Sequence, residues 1–274
     1  MIVVLVLALI PFVGAAYLLR RAYAPVAVND VRAVMVSGHL DDTPAVRLLI
    51  GRSLSRARRF RTTSSIAVCV GVIATFVVRS LSGVAEFRVS LVGLFLATVA
   101  GYLGGAILGE THQLRRAGRG VRVASVAPRL VGAYRSRSLH RMMLGGAALA
   151  AVVTGVSTVA GGVDAARVAV GASAAGVLVI VTLMQHRVVW RSRPALPEPL
   201  ARADDVLRAR AFASFDAAGG ALAWMLASLA ATEVWVVTGN SLARGVSVLG
   251  ATLAAGCAWV MAFAARRVAW PAKR

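Results

Sequence analysis

Long apolar stretches alternate with arginine-rich segments along the whole chain. Crossing a hydrocarbon core of ~30 Å takes ~17–25 helical residues, and seven stretches fall in that range. They are Ile2–Leu19, Thr62–Val78, Val89–Leu108, Met142–Val163, Val168–Met184, Ala217–Val237 and Val246–Ala264. The pattern predicts an all-α polytopic membrane helix bundle of about seven transmembrane helices, built from an N-terminal anchor and three helical hairpins.

The basic residues predict how these helices are oriented. Arginine and lysine number nine, eight, six and four in segments 20–61, 109–141, 185–216 and 265–274, which together hold 27 of the chain's 31. Because cytoplasmic loops carry the excess of basic residues, the N-terminus is expected outside and the C-terminus in the cytoplasm of a bacterial plasma membrane. The predicted domains are an anchor (1–19), a basic cytoplasmic segment (20–61), a six-helix membrane bundle (62–264) and a basic cytoplasmic tail (265–274).

Composition agrees with this interpretation. The chain is 58% hydrophobic and its formal net charge is +20. In a soluble protein such a charge suggests nucleic acid, but here it lies in the segments that face an anionic inner leaflet. We therefore expect the lipid bilayer as partner and no nucleic acid. Cys69 and Cys257 lie within apolar stretches and are expected to be packing residues.

Two cytoplasmic helices are predicted next to the membrane. Asp42-Thr43-Pro44 is typical of a helix start, and the apolar face that follows it includes Val46, Ile50, Leu54, Ala57 and Phe60. We expect this basic amphipathic helix to lie on the inner leaflet, or alternatively to dock a partner. Leu200–Asp216 predicts a second helix that leads into the sixth span, where Asp204 and Asp205 are placed to pair with Arg208.

Glu233 is the one ionisable residue inside a predicted span. Charge within a bilayer is costly and often functional. Glu233 lies near the outer end of its helix, so we expect it to pair with an outer arginine (Arg88, Arg167 or Arg244). A role with a substrate or a proton is the alternative.

Three histidines, His112, His140 and His186, fall at the predicted inner ends of spans. They are either ordinary interfacial residues or, if the bundle brings them together with Glu110, ligands of a shared metal. Their spacing matches no ligand motif, so no catalytic, cofactor-binding or metal site is predicted and no cofactor is expected.

Small residues spaced by four predict close helix packing. The third span carries the longest such stripe: Gly93, Ala97, Gly101, Gly105 and Gly109. It indicates either packing within the chain or a homo-oligomer interface.

The stretch Arg193–Ala209 (RPALPEPLARADDVLRA), with its flanking spans, resembles integral membrane proteins of high-GC Gram-positive bacteria to which no activity is assigned. The resemblance implies a membrane location and no functional residues. The sequence has no phosphate-binding loop, no H-E-x-x-H and no G-x-S-x-G motif. We expect a non-enzymatic plasma-membrane protein, an accessory or scaffold subunit of a membrane complex. The alternative is a small-molecule permease or exporter component.

Overall fold

Helices account for nearly all of the structure. The computed structural model describes residues 16–81, 91–117, 122–123, 131–191, 193–194 and 196–238, with scattered residues between 245 and 260. In this part of the chain the helices are α1 (16–23), α2 (Val28–Ser37), α3 (Pro44–Leu81), α4 (Leu91–Ala117), α5 (Arg137–Gly161), α6 (Ala165–Trp190) and α7 (Glu198–Thr238). A 3-10 turn, Val131–Ala133, and one antiparallel pair of two-residue strands, β1 (Arg122–Val123) and β2 (Arg193–Pro194), complete it. The helical fold class is confirmed.

Three of the described helices are long and apolar enough to cross a membrane. They are Arg137–Gly161, Arg167–Trp190 and Glu198–Thr232, and they contain most of the fourth, fifth and sixth predicted spans. Helices α3 and α4 contain nearly all of the second and third. Most of the first and seventh predicted spans lies outside the described residues, so the count of seven stays a prediction.

The chain divides into two compact units. One comprises Met1–Ala124, Ser192–Leu207 and Ala269–Arg274, and the other Ser125–Arg191 and Arg208–Val268. Helix α7 contributes its first turns to the first unit and its remainder to the second.

The first unit has an apolar core between α2, the start of α3 and the start of α7. Val46 and Ile50 of α3 are fully buried there, and the other members are Val34, Met35, Ala203 and Val206. This corrects the prediction that the apolar face of the helix after Pro44 lies on lipid. Apolar periodicity shows that a face is covered but not by what, and here α2 and α7 cover it.

The helix start at Pro44 is confirmed. The Thr43 Oγ1 accepts a hydrogen bond from the Val46 backbone N–H at 3.3 Å, which satisfies one of the free donors of the first turn. Helix α3 then runs 38 residues without a break from its basic half into the second predicted span.

Part of the small-residue stripe on α4 packs within the chain. A Cβ added at Gly105 would lie 2.6 Å from the Cα of Arg61, and one at Gly101 would lie 2.6 Å from the Cα of Ser65. The Ser65 hydroxyl also donates to the Thr98 carbonyl at 3.1 Å. At these two glycines the backbones of α3 and α4 are therefore in direct contact.

The second unit is formed by α5, α6 and most of α7. Helix α7 is its interior: 89% of its most apolar window is buried, against 28% for α5 and 17% for α6. The Gly146 face of α5 packs on the Trp224 ring of α7, and Gly171 of α6 approaches Thr154 of α5. Small residues thus allow close approach in this unit as well.

Candidate functional site

Four polar side chains meet inside the second unit. Asp216 of α7 and Gln185 of α6 are fully buried, and the side chain of His140 of α5 is 17% exposed. The Gln185 Nε2 donates to Asp216 Oδ1 at 2.8 Å, and His140 Nδ1 lies 3.2 Å from the same oxygen. Arg135, which follows the 3-10 turn, donates from Nη2 to Gln185 Oε1. We call these four residues the buried polar cluster.

The cluster lies on helix faces that are otherwise apolar. Gln185 shares its face of α6 with the buried Val181 and Val188, and Asp216 follows the buried Phe212 and Phe215 on α7. Polar groups in such surroundings cost free energy unless they are hydrogen-bonded. The same packing that forms the core therefore also brings these polar groups together.

Gln185 connects a positive group to a negative one. Its amide oxygen accepts from Arg135 while its amide nitrogen donates to Asp216, and linked hydrogen bonds of this kind polarise one another. The arrangement offsets part of the cost of burying a carboxylate. It leaves Asp216 Oδ2 buried and with no hydrogen-bond partner among the described residues. Chemically, the cluster can hold a proton or contact a cation at that oxygen.

Arg208 forms a second buried polar contact between α7 and α6. It is 1% exposed, and its Nη1 donates to the carbonyl oxygens of Val188 at 2.9 Å and Arg191 at 3.1 Å. The last carbonyls of a helix lack partners within it and carry partial negative charge. Arg208 therefore caps the C-terminal end of α6, a role that local pairing with Asp204 and Asp205 does not predict.

The three histidines have different surroundings. His140 belongs to the buried polar cluster, His112 in the first unit packs its ring on Phe60 with centroids 5.6 Å apart, and His186 is exposed. Within the described ranges, no group of three His, Cys, Asp or Glu side chains is placed to hold a metal ion. The shared-metal alternative has no ligand set in this part of the chain.

The predicted pairing of Glu233 lies outside the described residues. Its backbone belongs to α7, but its side chain, like Arg88 and Arg244, is not among those described. Arg167 donates from Nη1 to the Gly162 carbonyl at 2.7 Å, across the turn between α5 and α6. The anchoring role of Glu233 stays a prediction.

Sequence reasoning identified His140 but missed Arg135, Gln185 and Asp216. A signal for Asp216 was present: it is the one charged residue between Ala211 and Thr232. The predicted sixth span starts at Ala217, so this carboxylate lies one residue before it.

Comparison with known proteins gives no further guidance. None of the family models, curated proteins or solved structures compared with the chain matches it. Its function has to be argued from its own residues.

Proposed function

We propose that this chain is a non-enzymatic polytopic protein of the bacterial plasma membrane, with about seven spans, its N-terminus outside and its C-terminus in the cytoplasm. We propose further that it acts as an accessory or scaffold subunit of a membrane complex. The observation that carries the membrane location is that the most apolar helix is the least buried, the reverse of what a soluble protein shows. Helix α6 is the most apolar candidate span, with a mean hydropathy of 2.0, yet only 17% of that window is buried.

Water would make this arrangement unfavourable. Exposed apolar area costs roughly 25 cal/mol per Å², so a soluble protein would bury its most apolar helix first. In lipid this cost disappears. The less apolar α7, with a mean hydropathy of 1.3, can then occupy the interior. The outward side chains fit acyl chains: Val152, Val156, Val159, Val163, Val168, Val179, Ile180 and Leu183.

The length of two helices supports a scaffold role. Helices α3 and α7 have 38 and 41 residues, which at ~1.5 Å per residue is about twice the ~30 Å hydrocarbon core. In the proposed topology, the charged N-terminal half of each helix therefore continues beyond the membrane as helix. Rigid extensions of this kind offer a surface for a cytoplasmic partner.

Co-purification tests the subunit role. The tagged full-length chain is extracted from native membranes in a mild detergent, with an unrelated polytopic protein carrying the same tag as control. A net charge of +20 attracts acidic proteins unspecifically, so the complex is washed at about 0.5 M salt, where the screening length is only a few Å. A partner retained at a fixed molar ratio supports the proposal. A chain that elutes alone, or only with itself, argues against it.

A reporter fused after Arg274 tests the orientation. We expect a reporter that works only in the cytoplasm to be active at this position, because 27 of 31 basic residues lie on that side of the proposed topology. An extracellular reading overturns the proposed orientation.

The buried polar cluster favours a second candidate, a permease driven by protons or cations. Ionisable residues among membrane helices commonly mark such pathways, and Asp216 Oδ2 has no hydrogen-bond partner in the described chain. Asp216→Asn keeps the size of the side chain and removes its charge. Loss of flux in proteoliposomes with an unchanged unfolding midpoint supports the permease. Unchanged flux refutes a transport role for Asp216.

A further inference from the structure

An open cleft of about 610 Å³ lies in the first unit. One wall is a single face of α3, where Arg52, Arg56 and Arg59 recur at helical spacing. Val26 and Val31 also line the cleft. Because i, i+4 and i+7 positions lie above one another on a helix, the three guanidinium groups project along one side of the cleft.

The arginines that line the cleft differ in their contacts. Arg47, at the edge of the cleft, makes two hydrogen bonds to the Asp42 carboxylate, and that bonding holds the pKa of Asp42 below its usual range. Arg59 lies over the Tyr23 ring, 5.1 Å from its centroid, and this contact leaves its charge in place. Arg52 is exposed. None of the described residues that line the cleft is acidic.

Apart from Ser55 and His112, the rest of the lining is apolar. Leu48 and Phe60 belong to it, and the Phe60 ring packs against His112 of α4. Gly51 widens the cleft, since a Cβ added there would meet only Val31, at 3.9 Å. A row of guanidinium groups beside apolar side chains fits a ligand that is anionic at one end and apolar at the other.

We propose that this cleft binds the phosphate group of an amphiphilic ligand, as an anionic lipid headgroup presents it. Guanidinium groups bind phosphate oxygens through charge-assisted, often bidentate hydrogen bonds. A soluble phosphate compound has the same chemistry and is the other possible source. The cytoplasmic location of the cleft rests on the proposed function, but the binding does not, so the two proposals fail separately.

Binding to the purified full-length chain in a neutral detergent tests this. The probes are dihexanoyl phosphatidic acid, dihexanoyl phosphatidylcholine and inorganic pyrophosphate, followed by isothermal titration calorimetry. We expect saturable binding of phosphatidic acid and none of the zwitterionic lipid. Arg52→Gln should weaken binding by about fivefold or more, because a charge-assisted contact is lost. Arg137→Gln removes another exposed charge, from α5, and is the matched control.

Gly51→Leu separates a formed site from general electrostatic attraction. It places a bulky side chain in the cleft while every arginine stays, so binding in the cleft should fall by about tenfold, whereas attraction to net charge should not change. Thermal unfolding confirms that the variant is folded. If it is not, the comparison of Arg52→Gln with Arg137→Gln decides alone.

Each outcome has one meaning. Phosphatidic acid bound more tightly than pyrophosphate, with both cleft variants weakened, supports the lipid headgroup. Equal binding of the two probes with the same variant dependence supports the site and names a soluble phosphate compound as its ligand. The proposal is overturned by absence of binding, by equal effects of the Arg52 and Arg137 variants, or by full binding to folded Gly51→Leu.

Discussion

The indole of Trp224 connects α7 to α5, and Gly146 provides the space for it. The Trp224 Nε1–H donates to the Met142 carbonyl at 2.9 Å. A Cβ at Gly146 would lie 2.8 Å from the Cδ1 of that ring and 3.0 Å from its Cγ. Because the ring is rigid and hydrogen-bonded, Gly146→Ala must either displace it or separate the two helices.

The expected change in the free energy of unfolding has three parts. Overpacking costs ~1–3 kcal/mol, and loss of the indole hydrogen bond costs ~0.5–1.5 kcal/mol. The better helix propensity of alanine returns ~0.5–1 kcal/mol. We therefore expect Gly146→Ala to destabilise the protein by about 2 kcal/mol. Gly155, on the same helix, has no such neighbour within 4 Å, so Gly155→Ala should be neutral or slightly stabilising.

Unfolding by SDS from mild-detergent micelles, followed by circular dichroism, measures the difference. The Gly146→Ala midpoint should move to a lower SDS fraction, while that of Gly155→Ala should not. Trp224→Leu removes the obstructing ring, so the double variant with Gly146→Ala should lose less stability than the sum of the two single changes.

Two results would refute the reasoning. One is equal stability, within ~0.5 kcal/mol, of the Gly146→Ala and Gly155→Ala proteins, since surface substitutions vary by that much. The other is strict additivity in the double variant, which would show that residue 146 and the ring do not interact.

Further predictions concern the other helix contacts and one exposed ion pair. Gly105→Ala should destabilise the protein by about 2 kcal/mol or more, because the new methyl group meets the backbone of α3. Gly104→Ala has no such neighbour within 4 Å and should not destabilise it, and thermal unfolding compares the two variants. Arg208→Met should destabilise by ~2–4 kcal/mol because the terminal carbonyls of α6 lose their donor, and an unchanged unfolding temperature would contradict this. Arg47 lowers the pKa of Asp42 from 3.8, so the stability that the pair contributes is present above that value and is lost as the pH falls through the lower, folded pKa. Wild type should therefore exceed Asp42→Asn in stability at neutral pH and match it in strong acid; a constant difference would refute the linkage.

Features that depend on local sequence were predictable. The start of α3 at Pro44 follows from the residues around it. The predicted helix Leu200–Asp216, leading into the sixth predicted span, lies within one continuous helix, Glu198–Thr238. The three helices that are apolar enough to cross a membrane coincide with predicted spans, because span length and apolarity are properties of a single segment.

Features that depend on which helix faces meet were not predictable. The face of α3 that carries Val46 and Ile50 was correctly expected to be covered, but the expectation of lipid was wrong because it packs on α2 and α7. The sequence also does not decide whether the small-residue stripe on α4 packs within the chain or forms a homo-oligomer interface. Gly101 and Gly105 contact α3, and that choice depends on the rotation of each helix about its axis.

The buried polar contacts explain how α7 and α6 find one alignment. Packing of small residues does not by itself fix how two helices align. When an alanine- and glycine-rich helix shifts by one turn, it presents a similar surface to its neighbour. Arg208 and Asp216 lie about two turns apart on α7, and they bond to the end of α6 and to Gln185 respectively. A shift of one turn would leave both charges buried without these partners, at a cost that closer packing could not offset. We infer that the two charges fix the alignment of these helices. A variant with Asp216→Asn and Arg208→Met should then keep its helix content. In that variant, cysteine pairs designed across α6 and α7 should cross-link in more than one register. Cross-linking in a single register would refute the inference.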